Sequence, residues 1–569
     1  MLQSRWIMPD ASDGVAPRLH SDPLLHQLLV RRGLETAPEA NDFLNPRHRP
    51  APNPSQLPHM DQAVERMADA IGRREHIGIF GDYDVDGVTS TAILTRALRC
   101  AASSSDLISA TLPTREQGYG LNRSAIDAMA DDGVTLLIAV DCGSGDAEHV
   151  SYARSIGLDV IALDHHQIPN GPAEGAIVVS PQLPGGELFR DLCAAGVAYL
   201  VICALARDGQ SVCGSDEVAE TSYLQYVALG TVADVVPVAG INRALLRDGL
   251  RQIQQRPVAG VAELCRSAGV NPGTITSEQI AFKLAPRLNA AGRMGNPNLA
   301  LDLLLTDDPR RAQQLASELE TLNERRRAQS TRVLREAEVM IASRPGLLEK
   351  SVLVLAGKNW PIGLLGPVAS QLVDRYRRPV AVLSDDGKVS HGSLRSVDGF
   401  DVTAALKSVE PLLMRFGGHN QAAGLTLASS NIETLSAELD AAIVATGLEV
   451  PYPPVVRIDA ELPLDRVEAR TVELLQQLEP FGAGNEQPLL LLRGVPVQQW
   501  DAIGADRTHL RLQLVFPGGT VKGIAFGKAD RSKEFLHDRT VDLAAVLKID
   551  TWNGHRRLDI EVKDFRPAT

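Results

Sequence analysis

Residues 77–87 read IGIFGDYDVDG. The apolar run His76–Phe80 has the length of a buried strand, it stops at Gly81, and aspartates follow at 82, 84 and 86. Side chains alternate along an extended chain, so acids at i, i+2 and i+4 point the same way. Carboxylates that close repel, and some must take up protons unless a cation lies among them. Standing alone, the pattern is also that of a solvated turn.

The pattern recurs downstream. Asp141 ends the run Leu136–Val140, Asp164 opens Asp164-His165-His166 after Val160–Leu163, and Asp234 ends Val227–Ala233. Acidic or imidazole groups therefore fall at the C-terminal ends of four successive apolar runs. These short runs, with Ala176–Val179, alternate with amphipathic segments, which argues for a parallel sheet covered by helices. The carboxyl edge of such a sheet is where ligands bind. Any one of these aspartates could instead cap a helix, Asp141 before Gly143-Ser144 most readily. All of them together as caps is the poorer account.

Oxygen-rich ligation with one or two imidazoles suits a hard or borderline divalent ion, Mn²⁺ ahead of Zn²⁺, with Mg²⁺ as the alternative. Six ligands are enough for two ions. A pair about 3.5–4 Å apart lowers the pKa of a bridging water and neutralises charge on a phosphoryl oxygen.

The 569 residues are too many for one core and imply three or four domains. The expected layout is an N-terminal extension (1–55), an α/β catalytic domain with a parallel sheet (56–309), a long connecting helix (310–345), a second α/β domain (346–450) and a C-terminal β-barrel (451–569). Leu315, Leu319, Leu322, Leu334, Ala337 and Ile341 keep helical spacing through Arg310–Ala342 without a Gly or Pro. The arginines of that stretch (Arg325, Arg326, Arg327, Arg332, Arg335) read as a solvated face. In the tail, His509–Phe516 and Val521–Phe526 flank Pro517-Gly518-Gly519, and Val541–Ile549 and Arg556–Phe565 flank Asn553-Gly554, a hairpin signal. An oligonucleotide-binding barrel fits that pattern, and an SH3-like barrel fits it nearly as well. Trp500, Phe516, Phe526 and Trp552 are the candidate base stackers there, with core packing the expected role of the two Phe.

The cysteines form no CxxC pair, which favours reduced thiols and a cytoplasmic location. The N-terminus lacks the apolar core of a secretory signal. Leu192–Ala206 is too short for a membrane span and reads as a buried helix. The net charge, 57 − 70 = −13, weighs mildly against nucleic acid. A multi-carboxylate site neutralised by cations offsets that objection, and Asp501–Thr569 carries 12 basic against 10 acidic residues.

The segments GDYDVDG, LPTREQGYGL (112–121), VDCG (140–143), LDHH (163–166), ALGTVADVVP (228–237) and RLNAAGRMG (287–295) stand in the order found in RecJ-type exonucleases. With GSLRS (392–396), FGGH (416–419) and PFGAGN (480–485), the chain resembles that family of the DHH phosphoesterase superfamily from about residue 60 onward. The resemblance implies a metal-dependent 5′→3′ exonuclease that acts on single-stranded DNA in recombination and repair, with a single-strand-binding protein and a helicase as partners and no membrane. It implies Asp82, Asp84, Asp86, Asp141, His165 and Asp234 as ligands of two divalent cations, Asp141 bridging. Asp164 and His166 would be catalytic, His166 at the scissile phosphate or the leaving oxygen. Arg115, Arg287, Asn289 and Arg293 would hold substrate, as would Ser393, Arg395 and His419, the last three from Gly-rich turns whose N–H groups make anion nests. Where a Trp-His pair is usual the chain has Trp360-Pro361, and Ser180 stands where asparagine is frequent. A short-oligonucleotide or cyclic-dinucleotide phosphodiesterase, an inorganic pyrophosphatase and an inactive RecJ-like replication scaffold are the rival readings. The intact ligand set weighs against the scaffold and the tail against the others.

Overall fold

The computed structural model describes residues 4–8, 18–45, 53–210, 222–536, 539–550 and 556–568. Cys213, Trp552 and the Asn553-Gly554 turn lie outside the described residues. The chain divides into two compact units, residues 52–236 with 245–452, and residues 1–51 with 237–244 and 453–569.

In the first unit, five parallel strands lie in the order Ile108–Thr111, His76–Phe80, Val134–Val140, Asp159–Leu163, Ala176–Val179. Counted along the chain this is 2-1-3-4-5, a doubly wound sheet. Its strands read as unbroken apolar runs because helices cover both faces. The order reverses between His76–Phe80 and Val134–Val140, and a crevice opens beyond their carboxyl ends at such a switch point. The chain continues there into Asp82 and into Asp141.

One expected strand end is a helix end. Val227–Ala233 belongs to the helix Leu224–Ala233, whose residues from Leu224 to Thr231 are all buried. Burial on every side removes the 3.6-residue periodicity that separates a helix from a buried strand. Leu192–Ala206 is helical as expected, as Ala194–Arg207.

The connecting helix Pro309–Ser343 starts on Asp308, whose side chain accepts from Arg310 N, and spans about 50 Å at 1.5 Å per residue. Leu315, Leu319, Val333, Ala337 and Ile341 form its buried stripe. Beyond it a mixed sheet runs in the order Leu413–His419, Ala422–Ala428, Val389–Arg395, Val380–Asp385, Leu353–Lys358.

In the second unit, Leu490–Ile503 pairs with both His509–Phe516 and Thr540–Asp550, which closes a barrel. Gly519–Ala525 and Arg557–Pro567 complete it, pairing in parallel with each other. This is the five-stranded topology of the oligonucleotide-binding fold, and it settles the choice against an SH3-like barrel. Phe516 is buried as expected, but Phe526, just past its strand, is 59% exposed with His509 edge-on at 5.3 Å. Trp500 is half-buried, packed on Phe535 at 5.4 Å between ring centroids.

The N-terminal segment belongs to this barrel unit. Asp22 caps the helix Pro23–Arg31 and directs Leu24, Leu25, Leu28 and Leu29 into one core with Leu462, Leu475, Leu478 and Leu490. Arg5–Ile7 pairs in parallel with Val455–Arg457. Arg243, from the inserted segment 237–244, is fully buried. Its guanidinium lies 3.9 Å from the Phe43 ring centroid and donates to the carbonyls of Phe43, Gln477, Leu478, Glu479 and Pro480. Asn485, last residue of PFGAGN, donates to two of those carbonyls, Leu478 and Pro480. The motif is therefore the wall of an arginine clasp.

Candidate metal centre

The DxDxD segment is extended for only part of its length. Asp82 follows the strand, Asp84 is the N-cap of the helix Val85–Ala101 and accepts from Gly87 N at 3.0 Å, and Asp86 stands in the first helical turn. The turn sends the three carboxylates in two directions. Asp82 and Asp84 group with Asp141, whereas Asp86 groups with His165 and Asp234, and a third group joins Asp141, His165 and His166. Within each group the candidate ligand atoms lie within 4.8 Å of one another. Asp141 and His165 each belong to two groups.

Backbone geometry fixes each ligand. Asp86 accepts from Ala194 N (2.6 Å) and Ala195 N (2.9 Å), so it caps the helix Ala194–Arg207, whose N-cap Cys193 makes no side-chain cap. Asp141 sits at φ 63°, a left-handed conformation that turns its side chain back over the sheet edge. Asp234 leaves the C-terminus of Leu224–Ala233 and is followed by Val235 at φ 60°, a conformation that is an outlier for a β-branched residue. His165 Nε2 lies 3.3 Å from Asp141 Oδ1, 3.6 Å from Asp234 Oδ2 and 3.7 Å from Asp86 Oδ2. Gly292 lets the helix Ala285–Arg293 approach this loop, because a Cβ there would overlap the Tyr83 carbonyl oxygen.

The electrostatics ask for cations. Burial, and then the charge of Asp84, pushes Asp82 up to about 8. Burial with the charges of Asp86 and Asp84 does the same for Asp234. Asp86 and Asp141 are raised for the same reasons, while burial lowers His165 and keeps it neutral, its ring nitrogen free to ligate. Asp82 Oδ1, Asp141 Oδ1 and His165 Nε2 are buried without a hydrogen-bond partner. Buried polar atoms are almost always paired, and three unpaired ligand atoms facing one another fit divalent ions.

Asp164 faces a different partner. It accepts from His165 N, His166 N, Ser144 N and Ser144 Oγ, and from His166 Nδ1 at 2.8 Å. Burial alone would raise its pKa, but the bonds from His166 and Ser144 hold it below the usual carboxylate range. Burial would lower His166, yet its bond to Asp164 outweighs that and lifts it to about 9. Tyr119 Oη lies 3.0 Å from His166 Nδ1 and donates to the Asp141 carbonyl at 3.0 Å. Ser144 and Tyr119 were not singled out as site residues from the sequence, although both lie within or beside quoted motifs.

Among the expected substrate residues, Arg115 lies over the Tyr83 ring at 4.2 Å with its Nε buried and unpartnered. Arg293 donates to Gly363 O, and its pKa is pushed down by burial and then by the charges of Arg115, Arg326 and Arg395. Asp84 opposes that shift without reversing it, and a guanidinium stays charged regardless, so the depression marks positive groups gathered in excess of the acids near them. None of these four arginines makes an ion pair among the described residues. Asn289 shares a helix face with Arg293, four residues on. Arg287 is on another face and pairs with Glu320 of the connecting helix.

Ser393 and Arg395 are bonded to each other (2.7 Å) on the strand Val389–Arg395, and His419 ends the edge strand Leu413–His419 with its ring exposed. The expected Gly-rich turns are strands instead, with Ser393 and Arg395 paired on both sides and His419 on one. Gly392 is there for packing, since a Cβ would overlap the Leu383 side chain.

The DHH family, N-terminal domain model matches residues 76–231, the DHHA1 domain model residues 349–445 and the RecJ OB domain model residues 458–564. Curated relatives include the single-stranded-DNA-specific exonuclease RecJ of Haemophilus influenzae, 31% identical over 96% of this chain and 96% of that protein. The RecJ of Bacillus subtilis is 31% identical over 98% of this chain and 69% of its own length. A crystal structure of Thermus thermophilus RecJ in complex with Mn²⁺ superposes with a TM-score of 0.82 at 29% identity, covering 99% of this chain and 80% of that one. The same protein in complex with Mg²⁺ matches at 0.75.

Proposed function

This chain belongs to the RecJ family of single-stranded-DNA-specific exonucleases, and on that premise we propose that it hydrolyses phosphodiester bonds in single-stranded DNA, releasing 5′-mononucleotides from the 5′ end. The observation that carries the reading is the set of three buried, unpartnered ligand atoms beside a group of arginines that make no ion pair among the described residues. Asp82, Asp84 and Asp141 would hold one divalent ion and Asp86, His165 and Asp234 the other, with Asp141 bridging. Mn²⁺ or Mg²⁺ bound there would lower the pKa of a water and draw charge from a phosphoryl oxygen.

The chain's own groups do the rest. Arg115, Arg293 and Arg395, with Asn289 and Ser393, orient phosphates. Their guanidinium forks match phosphate oxygens. Asp164, steadied by Ser144, takes up His166 Nδ1, which leaves Nε2 as the atom to hold a proton for the leaving oxygen. His166→Ala is therefore expected to lower kcat about 100-fold or more while Mn²⁺ affinity, read by calorimetry, stays within about threefold. A parallel loss of metal would make His166 a ligand instead. Arg287, already paired, is expected to contribute little to substrate binding.

The barrel would hold the strand beyond the site by stacking and phosphate contacts, with Phe526 the exposed aromatic. A role in recombination and repair beside a helicase and a single-strand-binding protein fits this chemistry. No helix among the described residues is long and apolar enough to cross a membrane. The test offers the protein, with Mn²⁺, 5′-labelled single-stranded DNA, duplex DNA, short RNA and a cyclic dinucleotide. Labelled mononucleotide should come from the single strand, stop on chelation and return with Mn²⁺ or Mg²⁺. Faster consumption of the cyclic dinucleotide would overturn the reading.

A further inference from the structure

Arg326 stands apart from the arginines around it on the connecting helix. Arg325 and Arg327 are exposed, whereas Arg326 is half-buried. Its Nη2 donates to Asn323 Oδ1 at 3.0 Å, and Asn323 is itself buried, 3% exposed. Its Nε is buried with no partner. The charge of Arg326 bears on Arg293, after Arg115 the second strongest of the neighbouring charges that do. No acid pairs with it among the described residues, although Glu324 is only two positions away.

A solvated arginine face needs none of this. Burying a guanidinium beside other guanidiniums costs stability, and spending a buried asparagine to aim it adds to the cost. Such an arrangement is sensible when an anion occupies the space between the forks. Helix geometry supplies the aim, since Asn323 and Arg326 lie three residues apart and so share one face. A helix of about 50 Å is a rigid mount for such a contact.

We propose that Arg326 is a substrate-positioning residue, oriented by Asn323, which holds a phosphate of the bound strand beside those held by Arg115 and Arg293. The inference rests on the nuclease reading above. The ligand is a backbone phosphodiester, so the contact is blind to base sequence. It places the connecting helix, and not only the two α/β layers, along the path of the strand.

The test compares Arg326→Met, which keeps most of the aliphatic stem, with Arg325→Met as the exposed control. Binding of a labelled oligo(dT) is titrated with salt in Ca²⁺, and hydrolysis is followed in Mn²⁺. Arg326→Met should raise KM about tenfold with kcat within twofold, and flatten the log K against log[salt] slope by about 0.7. Arg325→Met should leave both unchanged. Arg326→Lys restores the charge without the fork, so its slope should return while KM stays raised at least threefold. Wild-type KM and slope in Arg326→Met overturn the proposal, as does an equal effect from Arg325→Met. Should Arg326→Met fail to fold, a wild-type KM in Arg326→Lys overturns it. A wild-type protein inert on single strands would instead remove the nuclease reading, whereas normal degradation with an unmoved Arg326→Met removes only this residue.

Discussion

Asp141→Asn is expected to lower kcat on single-stranded DNA by about three orders of magnitude or more, the scale of losing an essential group, with the fold intact. Asp141 is 2% exposed, its Oδ1 has no hydrogen-bond partner, and it is the carboxylate shared by two of the three ligand groups. Removing a shared ligand disturbs both ion positions at once. Asparagine is the substitution of choice because the residue sits at φ 63°, where asparagine is tolerated and alanine is strained. Asparagine also leaves the backbone carbonyl that accepts from Tyr119 in place. In metal-free protein the variant should melt no lower than wild type, since one buried carboxylate among several that repel it has gone. Stopped turnover, Mn²⁺ stoichiometry below two and an unchanged or higher Tm make up the expected result. Near-wild-type turnover with two Mn²⁺ still bound would end the two-metal assignment.

Arg243→Met is expected to destabilise the barrel unit by about 3–5 kcal/mol, the range seen when one side of a buried charged network is deleted. Five backbone carbonyls lose the guanidinium, two of them (Leu478 and Pro480) keeping only their bond from Asn485, and the cation–π contact with Phe43 is lost as well. Methionine fills part of the space and satisfies none of the carbonyls, so the deficit is one of pairing rather than of volume. Urea unfolding monitored by tryptophan fluorescence, beside hydrolysis of a very short strand, separates the barrel from the catalytic unit. A loss below about 1 kcal/mol would mean that water replaces the guanidinium.

What the sequence made legible follows from distance along the chain. Asp82, Asp141 and His165 sit at the ends of true strands, and runs of five to seven apolar residues with an acid behind them report that position directly. Asp234 joins Asp86 and His165 from the end of a helix where a strand is expected, because a helix buried on all sides carries no period. Arg287 and Arg293 are six residues apart, and a 3.6-residue period alone sets them on different faces. The glycines around Ser393 and His419 imitate turns, yet they are strand positions: Gly392 clears the Leu383 side chain and Gly418 the backbone of the neighbouring strand at Ala422, a fact that only the packed sheet reveals. Arg326 is one arginine among five in its stretch, and nothing local marks it. Its distinction is a buried asparagine one turn earlier and an arginine from elsewhere in the chain, Arg293, on which its charge bears. The membership of residues 1–51 and 237–244 in the barrel unit was invisible for the same reason, since their partners lie hundreds of positions away.

That membership bears on how the molecule is made. Trp6 Nε1 bonds Asp564 Oδ2 across 558 residues, and Arg31 bonds the carbonyl of Ile458 across 427. At a ribosomal pace of about 5–20 residues per second, the first helix waits roughly half a minute to two minutes for its partners. Through that interval Leu24, Leu25, Leu28 and Leu29 have no native core to enter, while the parallel sheet behind them can already close. A helix made so far ahead of its partners is thus placed late, and nascent chains arrested before residue 458 should display those four leucines to chaperones and proteases.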